Sequence, residues 1–266
     1  MLEKNPIGIR NGCLKADWRE AFAVAKEVGA ECLELDVPRE FEGFPLYAAA
    51  GREELKQLEK ASGVRLVSMC LGAFWGHSPS NPDAKVRATA AKLLAETIAG
   101  CEAMGIPYIL APLTHHDGLG VEEQRAGWRE VLGQTAPKLK GAKVQVGLEL
   151  CARDFAHSAQ DALALLDAVQ APANLGVYFD TANGMGRGHK PQEEIPVLSK
   201  ARRLTIVHIK DTKGNHLGEG EVNFAAVKKT LEAARYAGPF VLETPAGDDP
   251  KASAKRNLEF TKQLFR

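Results

Sequence analysis

No stretch of the sequence approaches the roughly 18 uninterrupted apolar residues that a membrane span needs. The N-terminal MLEKNPIGIR also lacks the apolar centre of a secretory leader. These absences predict a soluble, cytoplasmic protein with no membrane partner. Neither charge is in excess, since 34 Lys and Arg face 34 Asp and Glu. Binding along a phosphate backbone ordinarily leaves a basic surplus or stripe, so nucleic acid is not expected as the main partner. A small anionic substrate is compatible with the balance, because it needs only one local pocket. The five cysteines are odd in number, scattered and without a C-x-x-C pair. Cys32, Cys70 and Cys151 lie in or beside apolar runs and read as buried, reduced thiols.

What is present is a regular alternation. Short runs rich in Val, Ile and Leu occur at Pro6–Ile9, Cys32–Val37, Arg65–Leu71, Tyr108–Leu113, Val144–Leu150, Leu175–Asp180, Thr205–Lys210 and Phe240–Thr244. Their composition suits strands buried on both faces. Amphipathic helical segments lie between them. Asp17 and Glu20 form a capping-box pattern before Ala21, with Gly29 as the stop. Asn81-Pro82 is expected to open the longest helix, whose stripe is Val86, Ala90, Leu93, Thr97, Cys101 and Met104. Phe224, Val227 and Leu231 face inward on a helix read as ending at Gly238, and the last helix buries Ala254, Leu258 and Phe265. Eight strand–helix units in 266 residues predict one (β/α)8 TIM barrel, a single domain over residues 1–266. An open dinucleotide-binding sheet is disfavoured, because no Gly-x-Gly-x-x-Gly follows the first strand. The loop-like stretches Gly72–Pro82, Thr114–Gly120 and Thr181–Pro191 all follow strands, where a barrel builds its active-site face.

Four acidic or imidazole side chains stand at the ends of four successive strands: Glu149, Asp180, His208 and Glu243. They are 31, 28 and 35 residues apart, each about one βα repeat. Taken singly, an acid after a strand is ordinarily a helix N-cap, and a strand His a satisfied core residue. Taken together, the spacing aims all four at one point above the barrel. Three carboxylates there would repel by about 4 kcal/mol per pair at 4 Å, and a divalent cation removes that cost. Oxygen ligands with one imidazole suit Mn2+, Mg2+ or Co2+, and Zn2+ also fits. Further candidates for substrate contact follow other strands: Trp75 and His77, His115, Arg153 and His157, and Glu219 in the Gly218-Glu219-Gly220 turn. Glu34 and Asp36 end the second strand and either reach the site or bind Arg39. A homo-oligomer is compatible with the pattern, though the helix stripes mark no separate interface.

The motifs GLEL, YFDTAN, VHIKDTKG, GEGEVNF and AGPFVLET resemble the xylose-isomerase-like barrel superfamily of sugar and sugar-phosphate isomerases and epimerases. SMCLGAF followed by SPSNPDAKVRA is similar to its L-ribulose and L-xylulose 5-phosphate 3-epimerase branch. The resemblance implies a divalent metal held by Glu149, Asp180, His208 and Glu243, with Glu149 and Glu243 also acting as the acid–base pair. It implies a ketose or ketose-phosphate isomerase or epimerase working through a metal-stabilised enediolate. A keto-polyol dehydratase of the inosose dehydratase type is the alternative. Two departures argue against a free-ketohexose 3-epimerase. Asn183 replaces a His three residues after the metal Asp, and Phe155 replaces a Glu six residues after the first metal Glu. Phe74-Trp75-Gly76-His77 stands where the phosphate-sugar branch carries a basic segment, and an aromatic wall there would suit a larger or less charged polyol.

Overall fold

The computed structural model describes residues 2–151 and 155–266. Eight parallel strands close into a barrel in sequence order: β1 (Ile7–Arg10), β2 (Cys32–Asp36), β3 (Arg65–Cys70), β4 (Tyr108–Pro112), β5 (Gln145–Glu149), β6 (Leu175–Asp180), β7 (Leu204–Ile209) and β8 (Phe240–Leu242). β1 pairs with both β2 and β8, which completes the ring. A helix follows each strand: α1 (Ala21–Val28), α2 (Ala49–Ser62), α3 (Ala84–Met104), α4 (Val121–Leu139), α5 (Ala159–Ala168), α6 (Pro191–Lys200), α7 (Phe224–Ala233) and α8 (Pro250–Phe265). The expected (β/α)8 TIM barrel is what forms. Among the described residues no helix is long and apolar enough to cross a membrane.

The period of two along each strand sorts residues into two cores. Leu33, Leu35, Val177, Phe179, Val207, Ile209 and Leu242 pack in the large core shared with the helices. Cys32, Val67, Cys70, Leu110, Tyr178, Ile206 and Val241 form a separate cluster inside the ring. Tyr178 is the bulkiest of these and needs room. A Cβ on Gly147 would lie 2.7 Å from the backbone nitrogen of Tyr178 and 2.6 Å from Thr205 Oγ1, so only glycine fits there. The ladder slips at two places, between Leu33 and Glu34 on β2 and between Val177 and Tyr178 on β6. Such irregularities re-aim side chains, and here they precede two residues that meet inside the barrel.

Helix ends differ in detail from the sequence pattern. Gly29 adopts φ +82° and closes α1, its N–H donating to the carbonyls of Ala25 and Lys26. Asp17 Oδ1 accepts the N–H of Glu20 at 2.9 Å, the acceptor half of the expected box, but the helix proper begins later, at Ala21. α3 is capped by Asp83, which accepts from the Lys85 N–H at 2.8 Å, whereas Asn81 instead caps the turn before it through the Asp83 N–H. α7 stops at Ala233, and Arg235 rather than Gly238 takes the left-handed conformation, at φ 52°. Cys13, Cys32, Cys70 and Cys101 are buried thiols.

Loops on the C-terminal face are tied to the scaffold. The Thr114 carbonyl after β4 accepts from Trp128 Nε1 on α4 at 3.0 Å and from Ser78 Oγ and Ser80 Oγ in the loop after β3. One carbonyl thus joins two loops to a helix, giving the mouth of the barrel a defined shape.

Candidate metal centre

Strand phase brings the four spaced residues together. One ligand atom from each of Glu149, Asp180, His208 and Glu243 lies within 4.8 Å of the others. His208 Nδ1 stands 3.2 Å from Glu149 Oε1, 3.3 Å from Glu243 Oε2 and 4.0 Å from Asp180 Oδ2. Asp180 presents Oδ2 because Oδ1 is occupied, accepting the N–H groups of Ala182 and Asn183 at 2.7 and 2.8 Å. Asp180 Oδ2 and Glu243 Oε2 are buried and have no aligned hydrogen-bond donor. Buried carboxylate oxygens are rarely left so. An unbonded Asp180 oxygen, a Glu243 oxygen met only by the cationic side chains of Lys210 and His208, an imidazole nitrogen and a third carboxylate on one point are the donor set of a divalent cation, so the residues present fit a metal.

A second layer fixes the imidazole. Glu34, fully buried, lies 3.0 Å from His208 Nε2 through Oε1 and accepts from the Tyr178 hydroxyl at 2.7 Å through Oε2. The Tyr178 ring also packs against the imidazole, with centroids 4.5 Å apart. A carboxylate behind a ligating His holds the proton on the far nitrogen and turns the near one to the ion. Burial would raise the pKa of Glu34, but His208 outweighs it and keeps the group ionised.

The electrostatics match a site short of positive charge. Burial alone would push the His208 pKa down, but Glu34, Glu149 and Glu243 hold it well above 6.5. Burial, opposed by Lys210, lifts Asp180 to about 7, with Glu243 and Glu149 adding to the rise. Burial would raise Glu243 too, but His208, Lys210 and Arg10 keep it well below the usual carboxylate range. Lys210 Nζ lies 3.2 Å from Glu243 Oε2 and 3.9 Å from Asp180 Oδ2. It also donates to Asn183 Oδ1 at 3.2 Å, and burial fails to lower its pKa against these acids. Arg10 Nη1 donates to Glu243 Oε1 at 2.7 Å.

A sequence model of the family described as "Xylose isomerase-like TIM barrel" matches residues 22–264. The chain belongs to that family. Among curated relatives, L-ribulose-5-phosphate 3-epimerase UlaE of Escherichia coli is 26% identical over 98% of this chain and 96% of its own length. The enzyme of that name from Salmonella typhi is 27% identical over the same shares. Two solved structures of similar fold are the D-allulose 3-epimerase of Methylomonas sp. in complex with D-allulose and the E. coli 3-keto-D-glucoside 4-epimerase YcjR. The first has a TM-score of 0.80 at 20% identity and covers 98% of both chains. The second has a TM-score of 0.82 at 18% identity and covers 98% of this chain and all of the other. At those identities the structures speak for the fold.

Within this xylose isomerase-like barrel the remaining candidates take several different places. Asn183 is in the cluster: its Nδ2 donates to the Leu150 carbonyl at 3.1 Å and lies 3.5 Å from Glu149 Oε1. His157 borders a small enclosed cavity shared with Asp180, Asn183 and His189, its ring 5.1 Å from that of His189. Around the mouth, His115 Nε2 pairs with Asp117 at 3.0 Å, His77 packs edge-on to Phe41, and Trp75 is 40% exposed. Phe74 does not join an aromatic wall, because it is fully buried against Trp128. Glu219 turns outward to an ion pair with Arg256 on α8. The N–H groups of Gly218 and Gly220 are bound internally by Asp211 Oδ2, at 2.9 and 3.0 Å. Arg153 lies outside the described residues. Of the two acids on β2, Glu34 reaches His208, and Asp36 pairs with Arg10 rather than Arg39. Arg10 and Lys210 escaped the sequence reading, although alternation from Gly8 and from His208 put both in the inward phase.

Proposed function

We propose that the chain is a divalent-metal-dependent epimerase or isomerase acting on a ketose or ketose phosphate, with an L-ribulose or L-xylulose 5-phosphate type of substrate favoured. The observation that carries this reading is the convergence of Glu149, Asp180, His208 and Glu243 within 4.8 Å at the barrel mouth. It gains support from relatives named L-ribulose-5-phosphate 3-epimerase along 98% of the chain. Glu149, Asp180, His208 and Glu243 would hold the ion, which when bound would supply positive charge to the carbonyl and neighbouring hydroxyl oxygens of the sugar.

The protein's own groups carry the proton. One of Glu149 and Glu243 removes the proton from the carbon beside the ketone, and the C–H electron pair passes into the enediolate. The other carboxylate returns a proton to the opposite face, and the electron pair re-forms a C–H bond with inverted configuration. Asp180 and His208 have no part in the transfer and serve as ligands. Asn183, His157, Trp75, His77 and His115 are assigned to substrate contact.

The test is proton NMR of the Mn2+-loaded protein in D2O with L-ribulose 5-phosphate, L-xylulose 5-phosphate and the free ketoses. The expected result is deuterium entry at the carbon beside the carbonyl and appearance of the epimer, with conversion to the epimer lost in Glu149→Gln. No exchange with any of these sugars, or loss of water to an enone from a keto-inositol, would overturn the reading and favour the dehydratase.

A further inference from the structure

Arg10 ends β1 with its guanidinium engaged on two sides. Nε donates to both oxygens of Asp36, at 2.8 and 3.0 Å, and Nη2 lies 2.7 Å from Asp36 Oδ1. Nη1 donates to Glu243 Oε1 at 2.7 Å. Asp36 is anchored in turn, its own N–H donating to Asn11 Oδ1 at 2.8 Å. A guanidinium is a rigid planar fork, so the side that Asp36 grips fixes the direction of the side that meets Glu243. With Oε1 so held, Oε2 is the oxygen turned toward His208 Nδ1 and Lys210 Nζ, at 3.3 and 3.2 Å. Glu149 also faces His208 Nδ1, at 3.2 Å from Oε1, but its other contacts among the described residues are neutral: Asn183 Nδ2 at 3.5 Å on Oε1 and Cys151 Sγ at 3.8 Å on Oε2.

We infer that Arg10, gripped by Asp36, is a positioning residue that fixes the orientation of the Glu243 carboxylate at the reaction centre, and thereby controls one of the two proton transfers. The inference rests on the epimerase reading above. Each glutamate serves one face of the substrate carbon, so loosening Glu243 acts on one face only. The epimer deprotonated by Glu149 still loses its proton and regains a deuteron from the same side, without inversion. The opposite epimer, which needs Glu243 first, exchanges slowly. A general loss of folding or of metal would slow both alike.

The experiment compares wild type, Arg10→Met and Arg10→Lys, each loaded with Mn2+, on L-ribulose 5-phosphate and on L-xylulose 5-phosphate in D2O. Epimerisation by Arg10→Met is expected to fall about 10- to 100-fold in kcat with little change in KM, the usual effect of a misplaced catalytic group. Deuterium entry into one of the two epimers is expected to fall by less than about three-fold, so that exchange outruns conversion for that epimer alone. Arg10→Lys, which keeps the charge without the fork, is expected to stay defective. Equal loss of exchange from both epimers, or recovery in Arg10→Lys, overturns the inference. A crystal structure of Mn2+-loaded Arg10→Met reads the clamp without turnover: Glu243 Oε1 should leave its position while Glu149 and Asp180 stay. A superposable Glu243 overturns the clamp even if the sugars prove wrong. Wild type inert to both sugars overturns the epimerase reading instead.

Discussion

Replacing Glu34 with Gln alters neither the shape of the barrel interior nor any of the four converging ligands, yet it should weaken metal binding. Glu34 Oε2 accepts from the Tyr178 hydroxyl at 2.7 Å, and Oε1 faces His208 Nε2 at 3.0 Å, with no solvent reaching either. A carboxylate accepts from both donors at once. An amide offers one oxygen and one NH2, so if its oxygen accepts from His208 Nε2–H and its NH2 faces the Tyr178 oxygen, the Tyr178 O–H loses its acceptor. Leaving a buried donor unpaired costs about 1–3 kcal/mol. The imidazole can avoid that cost by moving its proton to Nδ1, where Nε2 then accepts from the amide. That tautomer places a proton on the atom 3.2–4.0 Å from Glu149, Glu243 and Asp180, where the ion must sit. Either route charges the cost to metal binding, in line with the roughly 10- to 100-fold losses seen when a partner behind a ligand is removed, or about 1.4–2.8 kcal/mol.

The assay is calorimetric titration of Mn2+ into protein stripped with EDTA, with activity measured at limiting and saturating Mn2+. Glu34→Gln should bind about 10- to 100-fold more weakly and recover most of its kcat at saturating ion. Tyr178→Phe removes one donor and leaves Glu34 ionised, so its loss should be smaller. An affinity for Glu34→Gln within about three-fold of wild type, below the range such partners contribute, would falsify the assignment of Glu34 as the group that orients His208.

Metal binding should also expel protons. Without an ion His208 holds its proton well above pH 6.5, and Asp180 titrates near 7, raised by burial. Both must be deprotonated to ligate, so the apparent affinity rises with pH. Titration in buffers of different ionisation heat should show about one more proton released at pH 6 than at pH 8, the contribution of Asp180. Equal release at both values would show that Asp180 is already ionised at pH 6. At the floor of the site, Gly147→Ala drives a Cβ to within 2.7 Å of the Tyr178 backbone. Overpacking of this kind costs about 1–3 kcal/mol, so thermal unfolding should fall by several degrees with or without Mn2+, and an unchanged Tm would show that the strand can shift to make room.

The four spaced residues were legible in the sequence because each ends an apolar run, and the runs repeat at the period of one strand plus one helix. Closing the barrel needs no further information, since neighbouring parallel strands with right-handed crossovers bring consecutive strand ends together. Glu34 was half legible: its strand was evident, but a register shift between Leu33 and Glu34 helps to aim it at His208, and no local pattern announces such a shift. Tyr178 read as one more apolar strand residue, because nothing in LGVYFD shows that its hydroxyl crosses the barrel to an acid 144 positions earlier. Lys210 followed His208 at a spacing of two, which alternation could have used. Arg10 lay one residue beyond the expected end of its strand, where a cation ordinarily faces water.

The deepest illegible feature is the choice between the two oxygens of each carboxylate. Asp180 turns Oδ2 inward because the N–H groups of Ala182 and Asn183 take Oδ1, so its choice depends on the backbone of the loop that follows. Glu243 turns Oε2 inward because Arg10, 233 positions away, takes Oε1. Glu243 must both ligate and move a proton, so the orientation of its carboxylate bears on both tasks. Residue types at strand ends therefore carry the metal chemistry, and contacts remote in sequence carry its geometry. The Arg10 and Glu34 variants test that division from opposite sides: one disturbs a proton-transfer geometry with the metal still bound, the other disturbs the metal with Glu149 and Glu243 in place.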